Sequence, residues 1–290
     1  MEVIDQAFDL GIRFVAWSGG DPILHPYWDD LLGYATDKGM RGCFLSSGML
    51  SKAEVRRLLR YQEALDGICV HISTIDQNTH DRIHHNPKTL QARLQGYRNL
   101  LDAGYSPDKV TNIITLTKTS AERIEETIDF FVDEMGSQSI CIAVFKGEGY
   151  GQTISEWEPG LSKINRAYHY RAQKLGEHWL KLGTIGTSFY YCRTAIAVTG
   201  GGDVLPCACC RELIAGSIYQ ENLGDILERR RDTLLFNHSI KGYCGDGECP
   251  NRELCFGCRA NALRYPGDVT ESDPKCFFNP AAQECCTGTV

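Results

Sequence analysis

Eleven of the fourteen cysteines lie between Cys192 and Cys286, and their spacing is that of ligands. Cys207 follows Cys192 after fourteen residues, with Gly202 five positions before it. Then come Cys244-x4-Cys249-x5-Cys255-x2-Cys258 and, seventeen residues on, Cys276. A thiolate is a soft anionic ligand, so converging thiolates hold zinc or iron–sulfur clusters. Seven cysteines at such spacing are too many for one tetrahedral ion, and two metal centres is the natural count.

A second candidate is Ser18-Gly19-Gly20-Asp21-Pro22, directly after an apolar segment. Two glycines there let a ligand reach bare backbone at a strand's C-terminal end, although a simple strand-to-helix turn has the same composition. His80 and His84 are four apart and would share one face of a helix, as zinc-binding pairs do. The acid between them is Asp81 rather than glutamate, and no third ligand suggests itself. His71 reads as a core or rim residue of a strand. Cys43, Cys69 and Cys141 are isolated on strand-like segments and read as buried structural thiols. No nucleophile elbow and no phosphate loop occurs in the sequence.

These groups need a scaffold, and the first half of the chain supplies an alternating one. Strands are expected over 12–18, 42–46, 67–73, 112–117 and 139–145, short and largely apolar as buried parallel strands should be. Helices fit between them. Ser51 and Glu54 form a capping-box pattern. Leu90, Leu94, Tyr97 and Leu101 share one helical face, as do Ile124, Ile128 and Phe131, with Gly136 placed as a C-terminal cap. The class is therefore α/β, with right-handed crossovers building a parallel sheet or barrel. Residues 1–10 read as a helix, so the repeat opens as if its first strand were missing. Residues 147–160 read as a loop and 161–182 as a linking helix; short strands and turns are expected from Cys192 onward. The domain division expected is 1–160, 161–185 and 186–290.

Bulk properties exclude several classes. The net charge is −7, and the one basic run, Arg229 to Arg231, is flanked by Glu228 and Asp232, so a solvated helix face is expected and not a nucleic-acid partner. The first ten residues lack the features of a signal peptide, and no run of about 18 apolar residues predicts a membrane span. A reducing, cytoplasmic location is expected, where spaced cysteines read as metal ligands and not disulfides.

The segment 14–35, FVAWSGGDPILHPYWDDLLGYA, resembles the glycine–glycine–acid–proline motif of radical S-adenosylmethionine (SAM) enzymes. LSSGML (45–50) sits where that family has a Thr-Asn-Gly turn, and VHISTIDQNTHDRIHH (70–85) resembles its Ser-Leu-Asp-Gly segment. The cysteine pattern ending in Cys276 resembles the SPASM auxiliary-cluster domain of the same superfamily. The resemblance implies an incomplete radical SAM (β/α) barrel followed by a SPASM domain with two auxiliary clusters of the 4Fe–4S type. Cys192, Cys207 and Cys258 would hold the first. Cys249, Cys255 and Cys276 would hold the second, with Cys244 preferred over Asp246 as fourth ligand because thiolate is softer. The family's further ligand for the first cluster falls at Gly186; Cys209 or Cys210 substitutes, or an iron stays open. Cys285 and Cys286 read as unordered thiols. Gly19, Gly20 and Asp21 would contact the methionyl end of SAM, and Ser73 its ribose.

This sequence departs from the family at Asp21, where glutamate is usual, and at Ser47, where asparagine is usual. It also contains no Cys-x3-Cys-x2-Cys loop to hold the SAM-binding 4Fe–4S cluster. The resemblance therefore implies a peptide- or protein-modifying enzyme that uses a 5′-deoxyadenosyl radical and an electron donor such as flavodoxin or ferredoxin. SAM and a third cluster are expected only with an N-terminal extension bearing that loop, and the chain as written is expected to cleave no SAM. Two other readings are a degenerate, non-catalytic peptide-binding or electron-transfer partner and a zinc-stabilised binding module.

Overall fold

The computed structural model describes residues 1–147, 149–184 and 189–282. Helix α1 (Glu2–Asp9) opens the chain and leads into β1 (Phe14–Trp17). Four strand–helix alternations follow: α2 (Trp28–Asp37), β2 (Arg41–Ser46), α3 (Lys52–Leu58), β3 (Leu65–His71), α4 (Gln77–His84), α5 (Thr89–Asp102), β4 (Val110–Leu116), α6 (Ile124–Asp129) and β5 (Ser139–Val144). The five strands form one sheet in the order β1-β2-β3-β4-β5, with parallel registers such as Ala16 opposite Cys43, Leu45 opposite Cys69 and Val70 opposite Asn112. All five expected strands are present within a residue or two, because buried parallel strands carry their apolar residues in short unbroken runs.

By internal contacts the chain falls into two compact units, Met1–Thr115 with Arg123–Cys141, and Leu116–Glu122 with Ile142–Val290. In the first unit, alternate strand residues Phe44, Ile68, Val70, Ile114 and Ile140 are fully buried, together with Val55, Leu58, Tyr97, Ile124, Ile128 and Phe131 of the helices. Trp28 meets Phe44 edge-on at 5.7 Å, and Tyr97 meets Phe131 at 5.3 Å. Each such side chain contributes roughly 1.5–3 kcal/mol by leaving water. The intervening residues Cys43, Leu45, Cys69, His71, Thr111, Ile113 and Thr115 lie on the other face and are only half-buried. The Ser51 capping box forms as expected, with Ser51 N–H donating to Glu54 Oε2 at 2.7 Å and Glu54 N–H to Ser51 Oγ at 3.2 Å. After α6 the chain makes a π-helical turn, Phe130–Glu134, and stops at Gly136 with φ +71°.

The second unit departs further from expectation. The stretch read as a loop is largely 3-10 helix, Gly149–Trp157. The linking helix is α7 (Leu161–Leu175), broken at Gly176 and continued as a 3-10 segment, Glu177–Leu182. Then come α8 (Phe189–Thr194) and a small antiparallel sheet of β6 (Ala197–Val198), β7 (Asp203–Leu205) and β8 (Gly216–Ser217). Two helices lie among the expected short strands and turns, α9 (Leu223–Leu234) and α10 (Arg259–Arg264). The basic run is on α9, with Arg229 paired to Glu221 at 2.5 Å, the solvated helix face that was expected. Among the described residues no helix is long and apolar enough to cross a membrane.

Candidate functional site

In the first unit the candidate site gathers at the C-terminal ends of the strands. Gly19 has φ +133°, and neither it nor Gly20 has another atom within 4 Å of where a Cβ would stand, so this backbone is open to a ligand. Asp21 is committed to the protein: its Oδ2 accepts from Ser47 N–H at 2.8 Å, Ser47 Oγ at 2.6 Å and Ser46 Oγ at 3.2 Å. It ties the turn after β1 to the turn after β2. The shorter acid and the serine at 47 thus work as a pair, hydroxyl meeting carboxylate. Helix α5 is pressed against this turn. A Cβ on Gly96 would stand 1.9 Å from Gly48 O, so only glycine fits there, and Asn99 Nδ2 donates to Leu50 O at 2.8 Å.

Ser73 is buried; its Oγ accepts from Thr115 N–H at 3.1 Å and lies 3.2 Å from His71 Nε2. The His71 ring also meets Thr115 Oγ1 at 2.9 Å, which makes it the satisfied rim residue anticipated. His80 and His84 do share a face of α4, with rings 4.3 Å apart. His80 Nε2 is engaged by Thr89 Oγ1 at 2.8 Å. Burial first, and then the nearby Arg93 charge, hold His71 and His80 at about 4 and His84 at about 3. All three are therefore neutral at pH 7.

Arg93 is the residue that sequence reading missed. It is a cation on the apolar stripe of α5, three residues after Leu90, and that misplacement was the available signal. Its side chain is buried, Nη1 donates to His71 O at 3.0 Å, and Asp21 lies within charge range. Among the described residues Arg93 Nε and His80 Nδ1 have no hydrogen-bond partner although both are buried. Cys43 and Cys69 are half-buried and not isolated: on adjacent strands they lie in charge range of each other, with Cys141 in charge range of Cys69.

In the second unit the metal-spaced cysteines gather into two groups. Cys255 lies in charge range of Cys244 and Cys249, and Cys276 in range of Cys255 and Cys244. Cys244, Cys249 and Cys276 are buried, whereas Asp246 is exposed. The other group is an apolar cluster of Cys210, Phe236, Phe256, Cys258 and Ala260, against which Cys192, Cys207 and Cys209 pack. Gly186, Cys285 and Cys286 lie outside the described residues.

Backbone N–H groups point at two of these sulfurs. Cys209 N–H donates to Cys207 Sγ at 3.5 Å and Gly257 N–H to Cys255 Sγ at 3.3 Å. Such bonds stabilise thiolate and tune bound clusters. Burial pushes Cys255 up to about 12 and raises Cys244, Cys258 and Cys276. These thiols are protonated until a metal displaces the proton. Gly183, at φ +69°, leaves room beside one of them, since a Cβ there would stand 2.5 Å from Cys255 Sγ.

A buried polar frame holds both groups in place. Asp273 is fully buried and accepts from Thr184 Oγ1 at 2.8 Å and from Cys258 N–H, Lys275 N–H and Asn261 Nδ2 at 2.9 Å each. Arg259, also buried, donates to the carbonyls of Val269 and Glu271 at 2.5 and 2.7 Å and to that of Phe256. Lys275 pairs with buried Glu158 at 3.3 Å. No periodicity in the sequence marks these residues.

Among the described residues no three His, Cys, Asp or Glu side chains stand close enough to share one metal ion.

The chain is similar to several known proteins. Over 307 residues, covering 96% of this chain and 86% of the relative, the chain is 25% identical to the AdoMet-dependent heme synthase of Methanosarcina barkeri. It is also 25% identical to the PqqA peptide cyclase of Streptomyces rochei, over 96% of this chain and 80% of that one. Among solved structures, Streptococcus suis SuiB bound to S-adenosylmethionine superposes with a TM-score of 0.66 at 17% identity, over 94% of this chain and 68% of that chain. The anSMEcpe structure with bound AdoMet and Cp18Cys peptide gives 0.69 at 10% identity, over 96% and 84%. Residues 1–131 match the profile of the Radical SAM superfamily, and the chain shares its α/β fold with solved radical SAM enzymes.

Proposed function

We propose that this chain serves a peptide- or protein-modifying radical SAM enzyme, with SAM on the half-buried face of the parallel sheet and iron–sulfur clusters on the two cysteine groups. The observation that carries the cluster reading is the gathering of Cys244, Cys249, Cys255 and Cys276, which are up to thirty-two residues apart in sequence. When bound and reduced, such a system supplies a 5′-deoxyadenosyl radical for hydrogen abstraction. The chain's own residues bind and orient. The open Gly19–Gly20 backbone offers N–H and C=O groups to the methionyl end of SAM. Asp21 fixes the turn that presents them, and Arg93, with Nε free and Asp21 nearby, is suited to a carboxylate. Ser73, whose Oγ accepts from Thr115 N–H, would contact the ribose. Neutral His71 and His80 leave Arg93 as the cation of this region.

Peptide specificity is supported by the relatives named as PqqA peptide cyclases and by neighbours solved with the precursor peptide SuiA and with Cp18Cys peptide. The similarity to a heme synthase favours a second reading, a tetrapyrrole substrate. Titration with a tetrapyrrole, followed at its Soret band, is expected to show no binding; saturable binding at one equivalent would replace the peptide reading with the second.

Iron and acid-labile sulfide in anaerobically reconstituted protein test the cluster reading. Roughly eight irons per chain are expected for two four-iron clusters, and about half that in Cys255→Ala. Colourless protein carrying stoichiometric zinc would end this reading in favour of the zinc-stabilised module. The sequence holds no Cys-x3-Cys-x2-Cys loop, so these residues alone are expected to release no 5′-deoxyadenosine from SAM with dithionite. The cytoplasm, with a flavodoxin or ferredoxin as electron donor, is the setting this reading implies.

A further inference from the structure

Two buried atoms of the first unit are complementary and neither is satisfied. Arg93 Nε is an N–H donor and His80 Nδ1 is a ring nitrogen, and among the described residues neither has a hydrogen-bond partner. Both residues are more than nine-tenths buried. A buried polar atom left alone keeps its full desolvation cost, so each of these calls for a partner.

The bonds around His80 decide what that partner must be. Thr89 Oγ1 carries a single hydrogen and donates it to Asn86 O at 3.0 Å. The same oxygen lies 2.8 Å from His80 Nε2 and must accept there, which puts the imidazole proton on Nε2. In neutral His80 the Nδ1 atom is then bare, an acceptor. Thr89 and Arg93 are one turn apart on α5 and share a face of that helix, so the ring fixed at Thr89 is brought into charge range of Arg93. The guanidinium is already tied at one end, where Nη1 donates to His71 O at 3.0 Å. The group that satisfies both orphan atoms accepts from Nε–H and donates to Nδ1. A carboxylate only accepts and would leave Nδ1 facing a second acceptor. A water does both, and it is the smallest group that can.

Resting on the reading of Arg93 as the cation for a carboxylate, we infer that His80 is a positioning residue, whose bare Nδ1 holds one water that accepts from Arg93 Nε–H and so fixes the guanidinium at the end of β3. The charge of Arg93 serves the carboxylate, and the water satisfies the acceptor that a carboxylate cannot.

Nuclear magnetic resonance of the full chain with isotope-labelled histidine and arginine tests this, together with SAM binding measured by calorimetry. Wild type is expected to show His80 protonated on Nε2 and the Arg93 Nε–H protected from exchange with solvent. His80→Asn, whose side-chain oxygen can stand where Nδ1 stood, should keep that protection. His80→Gln, which reaches Thr89 but not the water, should lose it, and SAM affinity should fall about tenfold in this variant, the weight of one buried hydrogen bond. The opposite ranking, with Gln tolerated and Asn not, makes the Thr89 contact the whole role of His80 and overturns the inference. A proton on Nδ1 in wild type overturns it without any variant, so a variant that does not fold leaves it open to refutation. If the protection pattern appears as expected while SAM binding is indifferent to every change, Arg93→Met included, the carboxylate reading falls and the positioning of Arg93 by His80 stands.

Discussion

The two units of this chain are held by different forces. In the first, a parallel sheet and its helices bury aliphatic and aromatic side chains against one another, and the polar site sits at the strand ends. In the second, strands are two or three residues long, and the cysteine groups are framed by buried charged residues: Asp273, Arg259 and the Lys275–Glu158 pair. An apolar core tolerates the loss of a polar partner at its rim. A polar frame does not, because each buried N–H left without its acceptor keeps its desolvation cost. Stability in the second unit should therefore depend on single residues and on bound metal to a degree that the first unit does not share.

That contrast can be broken most directly at Asp273. Replacement by Ala removes the acceptor of four buried donors, at about 4 kcal/mol if each contributes roughly 1 kcal/mol. Chemical denaturation should show the second unit unfolding early, with iron retention lost from both cysteine groups. A loss below about 1 kcal/mol with full iron would show that the frame is redundant.

The counterpart in the first unit is Gly96→Ala. A Cβ 1.9 Å from Gly48 O must push α5 off the Ser47–Gly48 turn, at about 1–3 kcal/mol, reduced by alanine's better helix propensity. Thermal unfolding gives the cost. Hydrogen exchange should show the turn loosened while the cysteine region stays unchanged. Transmission of the effect to residues 244–276 would remove the distinction between the units.

Acid should also separate them. His71 and His80, held at about 4, and His84, held at about 3, lie below the ordinary value of 6.5. The unfolded chain therefore takes up protons first. Their contribution is fully present above pH 6.5 and is lost as pH falls towards 4 and then 3. Melting of the first unit followed between pH 7.5 and 4.5 should show its midpoint decline, and His80→Gln should flatten that slope. A midpoint independent of pH in that range would count against neutral buried histidines.

The smallest effect expected is at the surface. Ser51→Ala removes the N-cap of α3 and should cost about 1 kcal/mol in the first unit, measured by urea unfolding. It should leave iron content untouched.

By itself the sequence determined the alternation of strands and helices in the first half, because a buried parallel strand must be a short apolar run and its covering helix must carry a stripe. It also marked the cysteines from Cys192 to Cys276 by their spacing as candidate ligands. The Ser51–Glu54 cap was equally legible, being a contact within four residues. Tertiary structure alone decided which cysteines meet across tens of residues. It decided, too, that Asp21 anchors to Ser47, that Arg93 is buried beside His71, and that Asp273 gathers donors from Thr184 to Lys275. The stretch Gly149–Trp157, rich in glycine and polar residues, became helical where composition predicted a loop. Local pattern is written in neighbouring side chains, whereas these partners are brought together only when distant segments pack and their buried polar atoms must be satisfied.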